Sequence, residues 1–293
     1  MNIAIREPQR DEAGAIAQLL NEHARSAFGE TEIAAAAVRH WFGIAGIWIR
    51  VAERNGELIG YADAVKRGGD ATELDIRTID REVAKALLAA GGAHAGTGAA
   101  RVVVQGDDGV LREAVEAAGW KPVRHSYQMR IDLNDDLPEP CWPEGITART
   151  MQPGEEQRIY EANIEAFADD WHFRPQPFEE WSSDAFGREN FDPTLVWVAE
   201  DDGELAGFSA NGWHISGDLQ FGWVGSLGVR PRWRRRGLAT ALLHQSFRDF
   251  RRRGATRVGL GVDAQNPTGA VRLYERVGMR VARRNDMYET QLS

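Results

Sequence analysis

The sequence predicts an α/β fold, built twice over in tandem. Two matching segments carry that expectation: Val51-Ala52-Glu53-Arg54-Asn55-Gly56-Glu57-Leu58-Ile59-Gly60-Tyr61 and Val198-Ala199-Glu200-Asp201-Asp202-Gly203-Glu204-Leu205-Ala206-Gly207-Phe208, offset by 147 positions. In each, apolar alternation flanks Asn-Gly or Asp-Gly, residues that accept the positive φ demanded by a tight turn between two twisted strands. A helical core, Ala86-Leu87-Leu88, recurs as Ala241-Leu242-Leu243, and Gly119 recurs as Gly278. With 293 residues the chain is long enough for two cores of ordinary size.

Taken in order, Ile3-Ala4-Ile5 reads as an opening strand, and no basic and apolar leader is expected around Met1. The first hairpin is followed by Thr78-Ile79-Asp80-Arg81-Glu82 and the Ala-Leu-Leu helix. Gly106-Asp107-Asp108-Gly109 then opens another helix, which ends at Gly119. Acids at these two helix starts suit N-terminal caps and would repel a phosphate. Asn134-Asp135-Asp136-Leu137-Pro138-Glu139-Pro140-Cys141-Trp142-Pro143 reads as a linker, since three prolines and clustered acids support neither helix nor sheet. The expected division is therefore a domain over 1–133, a linker over 134–144 and a second domain over 145–293.

The second half holds what the first lacks. Its offset grows by eight residues where Pro231 to Gly237 stands, and by four more where Asn266 to Gly269 stands. An apolar strand from Phe221 to Val229 leads to Arg234-Arg235-Arg236-Gly237-Leu238-Ala239-Thr240, and a helix follows with Leu238, Leu242, Leu243 and Phe247 on one face. A strand, a tight Arg/Gly loop and a helix present free backbone N–H groups at the positive end of a helix dipole, an arrangement that suits a pyrophosphate. Gly237 lets the backbone come close, and Ala239 and Thr240 are small enough not to obstruct it. Val258 to Val262 reads as the next strand. Asn266-Pro267-Thr268-Gly269-Ala270 then starts a helix that carries Leu273-Tyr274 and ends at Gly278.

Here the chain resembles the GNAT family of acetyl-CoA-dependent N-acetyltransferases. The family's phosphate loop, Arg/Gln-x-x-Gly-x-Gly/Ala, is matched by Arg234-Arg235-Arg236-Gly237-Leu238-Ala239. The later pattern is answered by Asn266, Ala270, Leu273-Tyr274 and Gly278-Met279. Asn266 precedes Tyr274 by eight positions where the common spacing is seven. The resemblance implies two tandem domains, each a mixed, mostly antiparallel sheet flanked by helices, with acetyl-CoA as cosubstrate of the second domain only. It also implies roles. Leu227, Gly228 and Val229 would pair with the pantetheine amides and polarise the thioester carbonyl. Arg235 to Thr240 would hold the pyrophosphate, with Arg234 at the head of the motif, and Asn266 would touch the pantetheine arm. Tyr274 would protonate the departing thiolate; a phenol with an unperturbed pKa near 10 is a reasonable donor to a thiolate whose conjugate acid lies near 8.5. The tandem arrangement resembles mycothiol synthase-like proteins, in which one half is catalytic.

The acceptor side is less determined. Many family members place a Glu on the fourth strand as base, yet Gln220 to Val229 contains no acid. Candidates from neighbouring elements are Asp169, Asp170 and His172 at the end of the half's first helix, and His214 at the end of its third strand; a water chain is the alternative. Trp171, Phe173, Phe178 and Trp181 are expected either to wall an acceptor pocket or to pack under a long loop. Trp213 and Trp223 could face the pocket or the core.

Charge and cysteine content narrow the partners. The net charge is −9, and the ten arginines between Arg230 and Arg257, against one acid, form a local patch. Such a patch suits a small phosphorylated cosubstrate better than a nucleic acid, which needs a broad basic face. Arg248, Arg251, Arg252 and Arg253 read as the solvated side of their helix. One cysteine, Cys141, permits no intrachain disulfide and fits a cytoplasmic protein. No metal-ligand spacing and no run of membrane-span length are found. The reading that results is acetyl transfer to a primary amine of a small molecule by direct attack. A non-catalytic acyl-CoA sensor and a protein lysine or N-terminal acetyltransferase are the alternatives.

Overall fold

The computed structural model describes residues 3–66, 71–171, 173–187 and 191–293. Along the chain run β1 (Ala4–Arg6), α1 (Ala13–Phe28), α2 (Ala35–Trp41), β2 (Trp48–Arg54), β3 (Glu57–Val65), β4 (Ala71–Arg77), α3 (Arg81–Ala95), β5 (Gly98–Gln105) and α4 (Gly109–Ala117). They are followed by β6 (Lys121–Asp132), β7 (Ile146–Thr150), α5 (Glu156–Phe167), α6 (Phe178–Phe186), β8 (Val196–Asp201) and β9 (Glu204–Trp213). The chain closes with β10 (Phe221–Val229), α7 (Leu238–Arg252), β11 (Arg257–Asp263), α8 (Ala270–Arg276) and β12 (Arg280–Leu292).

These elements form two compact units: Met1–Ser126 with Ile215–Gly217 and Arg283–Ser293, and Tyr127–His214 with Asp218–Ala282. Strands of the first unit lie in the order β1-β2-β3-β4-β5-β12, and those of the second in the order β6-β11-β10-β9-β8-β7. In both units one central pair is parallel, β4 with β5 and β10 with β11. The β1–β2, β2–β3, β3–β4 and β5–β12 pairs of the first unit, and β7–β8, β8–β9 and β9–β10 of the second, are antiparallel.

The linear boundary read from the sequence differs from this division at both ends. Residues 127–133 belong with the second unit, and Arg283–Ser293 complete the first by pairing antiparallel with β5, Asn285 opposite Gln105 through Leu292 opposite Gly98. A comparison at fixed offset aligns copies along the chain. It carries no information about which sheet edge a terminal strand joins.

The two hairpins form as their turn residues dictate. Asn55 and Gly56 have φ 54° and 83°, and Asp202 and Gly203 have φ 50° and 80°, so both central residues of each turn are left-handed. This is the turn whose twist matches the strands it connects. A second repeat lies just upstream. Arg6 donates to Glu12 at 2.6 and 2.8 Å and to Glu53 at 2.8 Å. Arg149 does the same to Glu155 at 2.6 and 2.7 Å and to Glu200 at 2.8 Å. Each clamp ties its strand, β1 or β7, to the hairpin and to the start of the following helix. Its arginine holds Glu12 or Glu155 down to a pKa of about 2.

In the second unit α7 buries Leu238, Leu242, Leu243 and Phe247 on one side, as their spacing requires. Each such side chain contributes about 1.5–3 kcal/mol. The opposite side is not simply solvated. Arg248 pairs with Glu139, Arg251 with Asp135 at 2.7 Å, and Arg253 with Asp192 at 3.0 Å. Arg248 also donates to the Leu137 carbonyl at 2.9 Å, and Leu137 packs against the core. The expected linker thus has no regular structure but is strapped along α7 by the acids that suggested a linker.

Candidate functional site

Strand β10 pairs with β9 along most of its length but with β11 only at its start. It pairs with β11 only over Phe221–Trp223 against Arg257–Gly259, although β10 continues to Val229 and β11 to Asp263. Its register with β9 slips between Val224 and Ser226, so Gly225 is the extra residue of a bulge. A bulge bends its strand and ends pairing. Beyond it Ser226 to Val229 bond to β9 alone, and their other edge faces the gap opened between β10 and β11. Leu227, Gly228 and Val229 therefore lie on an open strand edge. Gly228 is required there by packing, because a Cβ would stand 2.4 Å from the Phe208 ring.

At the end of this gap the chain turns into α7. Arg235 and Gly237 are both left-handed, with φ 59° and 89°. Gly237 is the N-cap and supplies no side chain to the first turn. A Cβ placed on it would meet nothing within 4 Å, so the space beside Gly237 is open. The first N–H groups of a helix have no intrahelical acceptor, and here nothing on the N-cap residue replaces one.

The corresponding helices of the first unit are closed. Asp80 caps α3 by accepting from Glu82 and Val83 at 2.9 and 3.2 Å. Asp108 caps α4 by accepting from Leu111 at 2.9 Å, and it is itself held by buried His23 at 2.7 Å. The acids at these two helix starts thus occupy the amides that α7 leaves free. In the second unit Gly269, like Gly237, caps α8 without a side chain.

Three arginines precede Gly237, and they do different work. Arg234 is a brace: it donates to the Val229 carbonyl at 3.2 Å, the Ala166 carbonyl at 3.0 Å and Asp169 at 2.6 Å. It locks the end of β10 to the end of α5 and fixes where the loop begins. Arg236 donates to the Glu144 carbonyl at 3.1 Å. Arg235 is exposed, and its left-handed backbone costs about 1–2 kcal/mol, strain held in the loop that would meet the phosphates.

Tyr274 sits on α8 in the core cluster behind β11, buried beside Leu260 and Val262. Burial raises its pKa to about 12, with the charge of Asp170 acting in the same direction. It is therefore a fully protonated phenol throughout the neutral range. Asn266 lies in the turn before α8. Its carboxamide oxygen accepts from the Thr268 N–H and hydroxyl at 2.9 and 2.5 Å, and its nitrogen donates to Asp170 at 2.9 Å. That side chain is spent on holding the turn and the segment after α5 together.

The acceptor candidates separate on inspection. Asp169 is paired with Arg234, and Asp170 is half-buried next to Asn266. His214 is buried in an aromatic cluster, stacked at 4.3 Å on Phe221 and edge-on at 5.1 Å to Trp223. Trp171 is half-buried, and His172 lies outside the described residues. Phe178 and Trp181 pack on Tyr160 with ring centroids 5.5 and 5.3 Å apart. The Tyr160 hydroxyl donates to the Gln176 carbonyl at 2.5 Å, so these aromatics hold a loop in place. Trp213 meets Phe250 of α7, which puts it on the core side. Trp223 lies on the opposite face with Gly212 and Gly259, its neighbours in register. No group of metal-ligating side chains occurs among the described residues. No described helix is long and apolar enough to cross a membrane.

Residues 157–279 match the family model described as the acetyltransferase (GNAT) family. A mycothiol acetyltransferase of Streptomyces coelicolor is 33% identical over 252 residues, covering 80% of this chain and 77% of that one. One from Nocardia farcinica is 31% identical over 247 residues, with 79% of each chain covered. Among solved structures, a GCN5-related N-acetyltransferase from Sphaerobacter thermophilus superposes with TM-score 0.80 at 31% identity, covering 99% of this chain and 95% of that one. A tandem GNAT protein from the clavulanic acid biosynthesis pathway superposes with TM-score 0.78 over 99% and 98% of the two chains; at 15% identity it speaks for the fold.

Proposed function

The chain belongs to the GNAT acetyltransferase family and is an acetyl-CoA-dependent N-acetyltransferase, and from that premise we propose that its second unit alone carries the site and acts on a primary amine of a small molecule. The observation that supports this reading is the contrast in helix capping. The α7 first turn is open beside a splayed strand pair, whereas α3 and α4 are capped by their own aspartates.

Acetyl-CoA supplies the activated acetyl group. The Gly237–Thr240 amides hold its pyrophosphate at the positive end of the α7 dipole, and the open edge of Leu227 to Val229 takes the pantetheine arm and steadies the carbonyl oxygen. The amine attacks directly, without an acyl-enzyme. Tyr274, kept protonated by burial, delivers its proton to the departing sulfur. The relatives named for mycothiol favour a small acceptor over a protein. A single exposed cysteine fits a reducing, cytoplasmic setting.

Tyr274→Phe tests the assignment. Turnover with a panel of primary amines is expected to fall by about 10²–10⁴-fold, while acetyl-CoA affinity stays within about twofold. Unchanged turnover would remove Tyr274 from the mechanism.

A further inference from the structure

We propose that Asp170 takes the proton from the attacking amine, an assignment that rests on the acetyltransferase reading above. β10 offers no carboxylate from Phe221 to Val229, so a carboxylate base comes from a neighbouring element. Most acids near the loop are committed. Asp169 binds Arg234 at 2.6 Å, Glu165 binds Arg230 at 2.7 Å, and Asp201 accepts from the Trp233 indole at 2.7 Å. Asp170 differs from them. Its Oδ1 accepts from the neutral Asn266 carboxamide at 2.9 Å, and its Oδ2 has no hydrogen bond among the described residues.

Position supports the role. Asp170 follows α5, whose end Arg234 ties to the end of β10 through Ala166 and Asp169, and Asn266 fastens it to the turn that starts α8. Its charge also acts on the Tyr274 hydroxyl, the proposed acid. Burial and the neighbouring Asp263 raise the Asp170 pKa above the ordinary aspartate range, the Asn266 bond and Arg234 act against this, and Asp169 adds to it. The result is a carboxylate more basic than an exposed one. Asn266 is then a positioning residue: its amide orients the carboxylate and leaves the second oxygen toward the acceptor.

The chemistry balances. As the N–C bond forms, the nitrogen becomes acidic and passes a proton to Asp170, which releases it to solvent. The C–S bond breaks with the electron pair leaving on sulfur, and the sulfur takes the Tyr274 proton. The nitrogen keeps the single proton of the neutral amide, and the tyrosinate regains from solvent one proton, equal to that released by Asp170, which restores the phenol. From a bound ammonium, one further proton goes to solvent.

The experiment compares wild type, Asp170→Asn and Asp170→Glu across pH, with the acetyl-CoA-induced thermal shift measured on each. Asp170→Asn is expected to lose about 10²–10⁴-fold in kcat/KM for the amine and the acidic limb of its pH profile, with the thermal shift retained. Asp170→Glu should recover part of the rate. Wild-type rate and an unchanged acidic limb in Asp170→Asn would overturn the assignment and leave the acetyltransferase reading intact, and so would loss of its acetyl-CoA shift, which would make Asp170 a structural support. No turnover of any amine by wild type would overturn both.

Discussion

Replacing Gly237 by Glu perturbs the proposed cosubstrate site at a position with space for a side chain. A Cβ at Gly237 meets nothing within 4 Å, so the cost to the fold is the left-handed backbone, φ 89°, and not a clash. For a residue other than glycine that cost is about 1–2 kcal/mol, which lowers the unliganded midpoint by about 2–8 °C at about 2–4 °C per kcal/mol. Binding suffers separately. A carboxylate would lie before the first amides of α7, where the dipole favours a phosphate. Losing one charge-assisted amide bond and reversing the local charge removes about 2 kcal/mol, or a factor of about 30. Acetyl-CoA at about a hundredfold over its dissociation constant stabilises wild type by roughly 2.7 kcal/mol; the same concentration would be only about threefold over that of the variant, worth about 0.9 kcal/mol. Thermal unfolding with and without acetyl-CoA should therefore show a shift of about 5–10 °C in wild type and about a third of that in the variant. Gly237→Ala carries the same backbone strain without the charge and should keep most of the shift. A full shift in Gly237→Glu would refute the location of the pyrophosphate at α7.

Two further outcomes follow from the same geometry. Asp80→Ala removes a side chain that accepts two amides of α3 and should cost about 1 kcal/mol of stability, while calorimetry still counts one acetyl-CoA per chain; a stoichiometry of two would show that the first unit had been a masked site. Arg149 holds Glu155 near a pKa of about 2, against 4.5 when unfolded, so this carboxylate contributes stability that is present above about pH 4.5 and lost as the pH falls toward 2. Because Arg149 is more than a third exposed, solvent screening limits the contribution to about 1–2 kcal/mol. Glu155→Gln should lower stability at pH 7 by that amount and flatten the curve between pH 4.5 and 2; an unchanged acid dependence would show the clamp to be energetically silent.

Local chemistry was legible in the sequence, and pairing was not. Asn-Gly and Asp-Gly named both hairpin turns because only certain residues tolerate two successive positive φ values. The apolar spacing of α7 named its buried side because a helix has one period. The missing acid of β10 and the acidic caps of α3 and α4 could be read directly, since charge at a helix start acts locally. The clamp Arg6-x-x-Gln9-x-x-Glu12, repeated as Arg149-x-x-Gln152-x-x-Glu155, was also present as a pattern and could have been found at its own offset.

The tertiary structure alone decided the rest. Whether Arg234 meets a phosphate or braces Val229, Ala166 and Asp169 depends on where α5 ends relative to β10, a distance in space between residues far apart in the chain. The difference between Asp169 and Asp170 arises in the same way, since adjacent residues point to an arginine and to an asparagine from different elements. The assignment of Arg283–Ser293 to the first unit is the largest case. A strand's residue pattern fixes that it is a strand and which face is apolar. The edge it joins is set by which unpaired edge the assembled chain leaves within reach.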